Sequence, residues 1–313
     1  MEKSPGFQGR TGRKAGAARR TPMNPKIRVG RIHYINVLPI YYALERAYVA
    51  NGFEMVPGTP AELNRRLSRG EVEISAISSA EYGRNFKEYL LLPDLSISTD
   101  GDVGSVLFFS RIPFPRLNAR EVILSAASAT SVALLKVLLY EIYGVQPLYR
   151  TAAVKDSLPD GAYGLLAIGD EALRLRSTGR YPYYLDLGRA WHDLTGLPFV
   201  FGVWAARRDF YEHNPEAVHS VHQSLLASKH WGLAAREEIC RHAAHLVSMS
   251  TKDLAHYFSL LNYELKPRQQ EGLMTFYRFL HRYGVLPEMP VLESIHVKSK
   301  QQDAYCPGSE KNQ

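Results

Sequence analysis

The stretch IRVGRIHYINVLPIYYA, Ile27 to Ala43, reads as a short buried strand that passes through a turn into a helix. Ile27, Val29 and Ile32 supply β-branched residues around Gly30, a pattern that fits a strand approached closely by another backbone. The strand ends near His33. Pro39 is tolerated in the first turn of a helix, where a missing N–H is no loss, so Asn36 stands at or just before a helix N-terminus. Beyond the carboxyl end of a strand, exposed N–H groups favour anions, and open α/β sheets bind their ligands there. Asn36 as a simple helix cap is the alternative that this stretch alone leaves open.

Outward from this unit, Thr59-Pro60-Ala61-Glu62 has the form of a capping box, and Gly70 closes the short helix. In EVEISAISSAEYG, Ile74, Ala76 and Ile77 predict a strand emptying into Ser78, Ser79 and Glu81. LLLPDLSISTDGDVGSVLFFS reads as two extended segments joined by a Gly/Asp turn. From Pro113 the alternation restarts: a strand at Val122 to Leu124, SAASATS, a helix from Val132 to Tyr143 stopped by Gly144, then strands at Leu148 to Ala152 and Gly164 to Ile168. Gly169-Asp170 leads into the next helix. Such alternation predicts a mostly parallel α/β sheet. LPFVFGVWAA, Leu197 to Ala206, reads as a long extended segment, and Pro215 to Tyr283 as nearly all helix, with starts at Asn214-Pro215, Ser250 to Asp253 and Pro267. One α/β unit interrupted by another, with a second crossing segment, predicts two lobes around a cleft, hinged at Phe109–Arg111 and Phe199–Val203. The expected division is 26–110 with 202–297 as lobe 1 and 111–201 as lobe 2.

The chain has 313 residues, 45% hydrophobic, and a formal charge of +7. Lys3, Arg10, Arg13, Lys14, Arg19 and Arg20 against Glu2 give residues 1–25 a net +5, and residues 298–313 carry +1. The body between them is close to neutral and gives no reason to expect a nucleic-acid partner. Residues 1–25 read as a disordered basic extension, Met23 offers an alternative start, and residues 298–313 read as a polar tail. No run suits a signal-peptide core or a membrane span, so a cytoplasmic location is expected. Cys240 and Cys306 offer neither a disulfide pattern nor a metal spacing. The histidines between His213 and His256 lack companions for a metal set.

Three polar clusters fall at predicted strand ends or helix starts: Tyr34 with Asn36; Ser78, Ser79 and Glu81; and Ser128, Thr130 and Ser131. Hydroxyls grouped at a helix N-terminus suit a carboxylate without lysine or arginine, or serve as a cap with solvated neighbours. His33, Glu81, Asp170 and His192 are the titratable groups near the expected cleft.

Taken together, HYINVLP, GEVEISAISSAEY, LLPDLSIS, GSVLFFS, SATSVALLK, LAIGDEAL and DLGRAWHDLTGLPFVFGVWAAR resemble the chorismate dehydratase family of the futalosine route to menaquinone, over about residues 27 to 290. The resemblance implies an α/β, two-lobed fold of the type II periplasmic-binding-protein kind, with the ligand in the cleft. It implies loss of water from chorismate to give 3-[(1-carboxyvinyl)oxy]benzoate, with no metal or redox cofactor. Asn36 matches the family's asparagine beside the substrate. Ser128, Thr130 and Ser131 are expected at one substrate carboxylate, with Ser79 and Ser105 helping at the other. Tyr34, Ser78, Glu81, Gly104, Asp170, Pro198 and Phe199 complete the expected substrate contacts. The proton acceptor is expected to be the substrate's own enolpyruvyl carboxylate, with Glu81 or His33 as rivals. The related dihydroxynaphthoate synthase and a non-catalytic small-anion binding protein are the competing readings. The sequence leaves the oligomeric state open.

Overall fold

The computed structural model describes residues 27–126, 128–152, 158–159 and 161–296. The expected basic extension, the polar tail and Cys306 lie outside these residues. The strands are β1 (Ile27–Ile32), β2 (Phe53–Gly58), β3 (Ile74–Ser78), β4 (Tyr89–Thr99), β5 (Val106–Ser110), β6 (Glu121–Ser125), β7 (Leu148–Ala152), β8 (Gly164–Ile168), β9 (Tyr183–Asp186), β10 (Phe199–Arg207) and β11 (Leu261–Asn262). The helices are α1 (Leu38–Glu45), α2 (Pro60–Ser68), α3 (Ser79–Arg84), α4 (Ala129–Tyr143), α5 (Asp170–Ser177), α6 (Leu187–Thr195), α7 (Arg208–His213), α8 (Pro215–Ala234), α9 (Arg236–Ala244), α10 (Thr251–Leu260) and α11 (Pro267–Arg282).

The strands form two sheets, ordered β11-β4-β10-β3-β1-β2 and β7-β6-β8-β5-β9. Within the first, β1 lies parallel to β2 and β3, whereas β10 is antiparallel to both β3 and β4. The second repeats the plan, with β6 parallel to β7 and β8, and β5 antiparallel to β8 and β9. Each sheet is therefore mixed rather than mostly parallel. In each sheet the strand that follows a crossing, β5 or β10, runs antiparallel to its neighbours, because a chain arriving from the other sheet enters from the opposite end; the short edge strand β11 is also antiparallel to β4.

The crossings also fall earlier than expected. Strand β5 belongs to the second sheet, so the first crossing is the loop Asp100–Ser105 and not Phe109–Arg111. Phe199 pairs with Thr99 in the first sheet, which moves the return crossing to the segment between Asp186 and Phe199. The physical reason is that β5 is apolar on both faces. Val106 and Phe108 enter the main core, while Leu107 and Phe109 enter a smaller core with Leu165, Ala172 and Tyr181. Periodicity cannot assign such a strand to one sheet. Strand β2 also escaped the sequence reading, because Pro57 interrupts it; it survives as an edge strand, where proline is tolerated.

A close approach seats α1 on α8, where a Cβ on Gly232 would lie 2.2 Å from the Pro39 carbonyl oxygen. At Gly30 the neighbour is not another backbone, as expected, but the Ser75 side chain of β3, whose Oγ would lie 2.2 Å from an added Cβ. Trp204 donates its indole N–H to Tyr41 OH at 2.9 Å, and Tyr41 donates to the Gly30 carbonyl at 2.9 Å. This buried relay ties α1 to β1 and β10. The turn preceding α1 is thereby held from both sides.

Candidate active site

Residues of both sheets enclose a cavity of about 60 Å³. Tyr34, Asn36, Ser78 and Phe201 face it from the first sheet's side; Ser105, Ser128, Ser131 and Ile168 face it from the crossing loop and the second sheet's side. Ile35–Val37 forms a single 3-10 turn between β1 and α1, so Asn36 stands at the strand's carboxyl end. Its Oδ1 is buried with no hydrogen-bond partner among the described residues. A buried polar atom left unpaired costs about 1–3 kcal/mol, so its retention in a cavity marks a place for a ligand donor.

The other polar groups are organised by helix starts. Ser78 caps α3, accepting from the Glu81 N–H, and its backbone N–H and hydroxyl are held by Asn64 of α2. Ser128 caps α4, accepting from both the N–H and the hydroxyl of Ser131. Ser105 accepts from Tyr257 OH at 3.0 Å, and its carbonyl accepts from the Gly169 N–H. The crossing loop that delivers Ser105 is pinned by buried Asp186, whose carboxylate accepts from the N–H groups of Val103, Gly104, Gly188 and Arg189. Burial raises the Asp186 pKa and these N–H groups oppose the rise.

Tyr34, Asn36, Ser78, Ser105, Ser128 and Ser131 are thus brought together. The remaining expected contacts are not part of the lining. Ser79 donates to the Val200 carbonyl at 2.6 Å. Thr130 accepts from the Ala80 N–H at 2.8 Å, joining α4 to α3 across the two sheets. Glu81 accepts from Asn85 and Tyr89. Gly104 and Asp170 face a larger groove of about 810 Å³ between α5 and α10. The Pro198 carbonyl accepts from the Trp191 indole, and Phe199 packs with Trp191, Phe201 and Phe276. His33 is exposed, and His192 lies beside Asp100 and Asp193. Asn64, Phe201 and Tyr257 went unforeseen: a polar residue in an amphipathic helix gives no local sign of burial, and Tyr257 arrives from a helix 152 residues away from its partner.

Among the described residues Tyr34 is the one titratable side chain of the lining, and burial followed by the charges of Asp170 and Glu171 pushes its phenol up to about 12. The cavity therefore offers hydrogen bonds and helix N-termini, with no carboxylate, imidazole or ammonium in its wall among the described residues. Among the described residues no His/Cys/Asp/Glu group has metal-binding geometry, and no helix is long and apolar enough to cross a membrane.

Two mixed sheets joined by two crossings, with the cavity between them, define a two-lobed protein of the periplasmic-binding-protein-like fold. The structure superposes on the periplasmic aliphatic sulphonate binding protein of Escherichia coli with a TM-score of 0.61 at 12% identity, covering 91% of this chain and 98% of that one. A crystal structure from Archaeoglobus fulgidus gives a TM-score of 0.68 at 20% identity over 83% and 98% of the two chains. These matches establish the fold alone.

The chain belongs to the menaquinone biosynthesis family, whose profile matches residues 27–282. A chorismate dehydratase from Thermus thermophilus is 35% identical over 269 residues, which is 81% of this chain and 94% of that enzyme.

Proposed function

We propose that this protein is a chorismate dehydratase, a hydro-lyase acting in the cytoplasm, which removes water from chorismate to give 3-[(1-carboxyvinyl)oxy]benzoate for menaquinone biosynthesis. The observation that carries the reading is the unpartnered Oδ1 of Asn36 in a cavity whose wall, among the described residues, holds no acid or base of ordinary strength. Such a wall suits a reaction in which the substrate brings its own base.

In the elimination, the C–H bond at the ether-bearing ring carbon breaks and its electron pair becomes part of the aromatic ring. The neighbouring C–O bond breaks, and hydroxide leaves with a proton as water. The enolpyruvyl carboxylate is tethered beside that carbon and takes its proton, so the protein's task is to hold the ring and side chain in register. The Asn36 amide orients the ring hydroxyl by hydrogen bonding. The Ser128 start of α4 favours a carboxylate through its unpaired N–H groups and dipole, with Ser131 beside it. Small-molecule sites commonly span roughly 300–1,000 Å³. The cavity of about 60 Å³ is smaller than that, so the lobes have to shift to admit substrate.

The test is to mix the purified protein with chorismate, without added metal or nucleotide, and to follow the product by mass spectrometry and absorbance. An aromatic product lighter by one water is the expected result. Chorismate bound tightly and recovered intact would replace the enzyme with a small-anion binding protein. Small-angle scattering is expected to show compaction on saturation with substrate.

A further inference from the structure

A serine hydroxyl has two lone pairs that accept and one hydrogen to donate. Ser78 Oγ accepts from the Asn64 side-chain Nδ2 at 3.2 Å and from the Glu81 N–H at 3.3 Å, so both of its lone pairs are occupied. The backbone sets the orientation of that amide: Asn64 Oδ1 accepts from the Ser78 N–H at 3.3 Å, which leaves Nδ2 facing the hydroxyl. The one hydrogen bond left to the Ser78 hydroxyl is donation, and the space beside it is the cavity that Ser78 lines. Ser105 differs, because it accepts from Tyr257 and keeps a second lone pair with which to turn. Asn64 stands outside the lining, 8% exposed in α2, on a buried face otherwise made of Pro60, Leu63 and Leu67. A polar amide on such a face costs free energy unless its bonds are made, and both ends of this one are made to Ser78.

Resting on the proposed dehydration, we infer that Asn64 is a positioning residue: it presets the Ser78 hydroxyl as a donor to the substrate carboxylate that lies away from Ser128. Ser79, expected at that carboxylate, is committed to the Val200 carbonyl, and Ser78 takes its place. A hydroxyl free to rotate would turn a lone pair toward the anion for part of the time. One held by Asn64 presents its hydrogen before the substrate arrives, so the ordering is not left to the binding step. The bond acts on the bound substrate and the transition state alike, which puts its effect in KM more than in kcat.

The test uses Asn64→Asp, Ser78→Ala and the double variant, with the chorismate Kd from calorimetry and KM and kcat from turnover. An ionised carboxylate at position 64 still accepts from the Ser78 N–H, but it also accepts the hydroxyl hydrogen and draws it out of the cavity. Asn64→Asp is expected to raise Kd and KM about 10- to 100-fold, the range for a lost hydrogen bond to a charged group, with a smaller fall in kcat. In the Ser78→Ala background, which has no hydroxyl to turn, the same substitution is expected to change Kd by less than about 3-fold. Asn64→Ala, measured in the same two backgrounds, repeats the comparison without a buried charge. It frees the hydroxyl instead of reversing it, so it should weaken binding less than Asn64→Asp. A side chain that only fastened α2 to β3 would give the opposite order, since Asn64→Ala loses both bonds and Asn64→Asp one. Equal losses with and without the Ser78 hydroxyl, or a larger loss from Asn64→Ala, overturn the positioning role. If the wild type binds chorismate and returns it intact, the dehydratase reading fails while the Kd comparison still decides the role of Asn64. A wild type that does not bind chorismate overturns both.

Discussion

Asn36 and Lys229 are both polar side chains with atoms taken out of water, one at the cavity between the sheets and the other between α8 and strand β4. Around Lys229 the strand departs from its ladder: Ser96 pairs with Val203 and Leu91 with Ala205, so the residues between them bulge, with Asp94 at φ +62°. Lys229, 1% exposed, donates to the Asp94 carbonyl at 2.6 Å and lies 3.4 Å from its carboxylate. His222 donates to the Pro93 carbonyl at 2.8 Å, and Lys266 pairs with Asp94 from the surface. Two carbonyls at the bulge thus receive donors from one helix. At Asn36 the reverse holds, since its buried acceptor has no partner among the described residues. The difference lies in what the open group faces: the bulge carbonyls find donors within the protein and serve stability, even though His222 Nδ1 beside them has no partner among the described residues, whereas the open acceptor of Asn36 faces a cavity that can admit a ligand donor.

The strongest way to break this contrast is at Asn36. Asn36→Ala is expected to lower kcat about 10²- to 10³-fold, or roughly 3–4 kcal/mol of barrier, if the amide acts like other preorganised hydrogen-bonding groups. Its melting temperature should stay level or rise slightly, because an unsatisfied buried acceptor is removed. Near-normal turnover in steady-state assays would sink the proposed role.

Lys229→Ala should do the opposite. Removing one partner of a buried charge pair costs about 3–5 kcal/mol, and the lower figure applies here because Asp94 keeps Lys266. Urea denaturation should show that loss while kcat of the folded fraction is unchanged, and Lys229→Met should recover part of it by filling the volume. A fall in kcat without lost stability would break the comparison.

Thr130→Val sharpens it at the interface between the sheets. The buried Ala80 N–H loses its acceptor, for about 1–2 kcal/mol in denaturant unfolding. KM should rise more than kcat falls, because the variant loosens closure and leaves Asn36 in place.

The smallest effect concerns His222, whose pKa burial lowers from its ordinary 6.5. The unfolded chain takes up its proton first as pH falls. The stability that the neutral imidazole contributes is therefore full above pH 6.5 and declines below it. His222→Gln should show a shallower loss of melting temperature between pH 7 and pH 5 than the wild type. An identical slope would remove His222 from the account.

Much of the architecture was legible locally. Thr59 and Glu62 close the capping box expected of them, Ser250 caps α10 through Asp253, and Gly144 ends α4 in the left-handed conformation. These features depend on a few neighbouring residues, and short-range hydrogen bonding decides them. The site was legible in part. SSAE and SATS are similar helix starts, and nothing within either says which hydroxyl enters the cavity. Ser78, Ser128 and Ser131 do, whereas Ser79 bonds to β10 and Thr130 bonds to the opposite lobe. Those outcomes depend on residues about 50 and 120 positions away in the chain.

By itself the sequence determined the strand-turn-helix unit around Asn36, the alternation that makes two α/β lobes, and the family. Each of these is written in side-chain type and spacing over short stretches. Only the tertiary structure decided that β5 belongs to the second sheet, that the crossing loop is pinned by Asp186, and that Thr130 of one lobe accepts from Ala80 of the other. A strand apolar on both faces fits either sheet, and a buried polar group finds its partner only after distant segments have packed, so these choices fall to the whole chain's burial and hydrogen bonding.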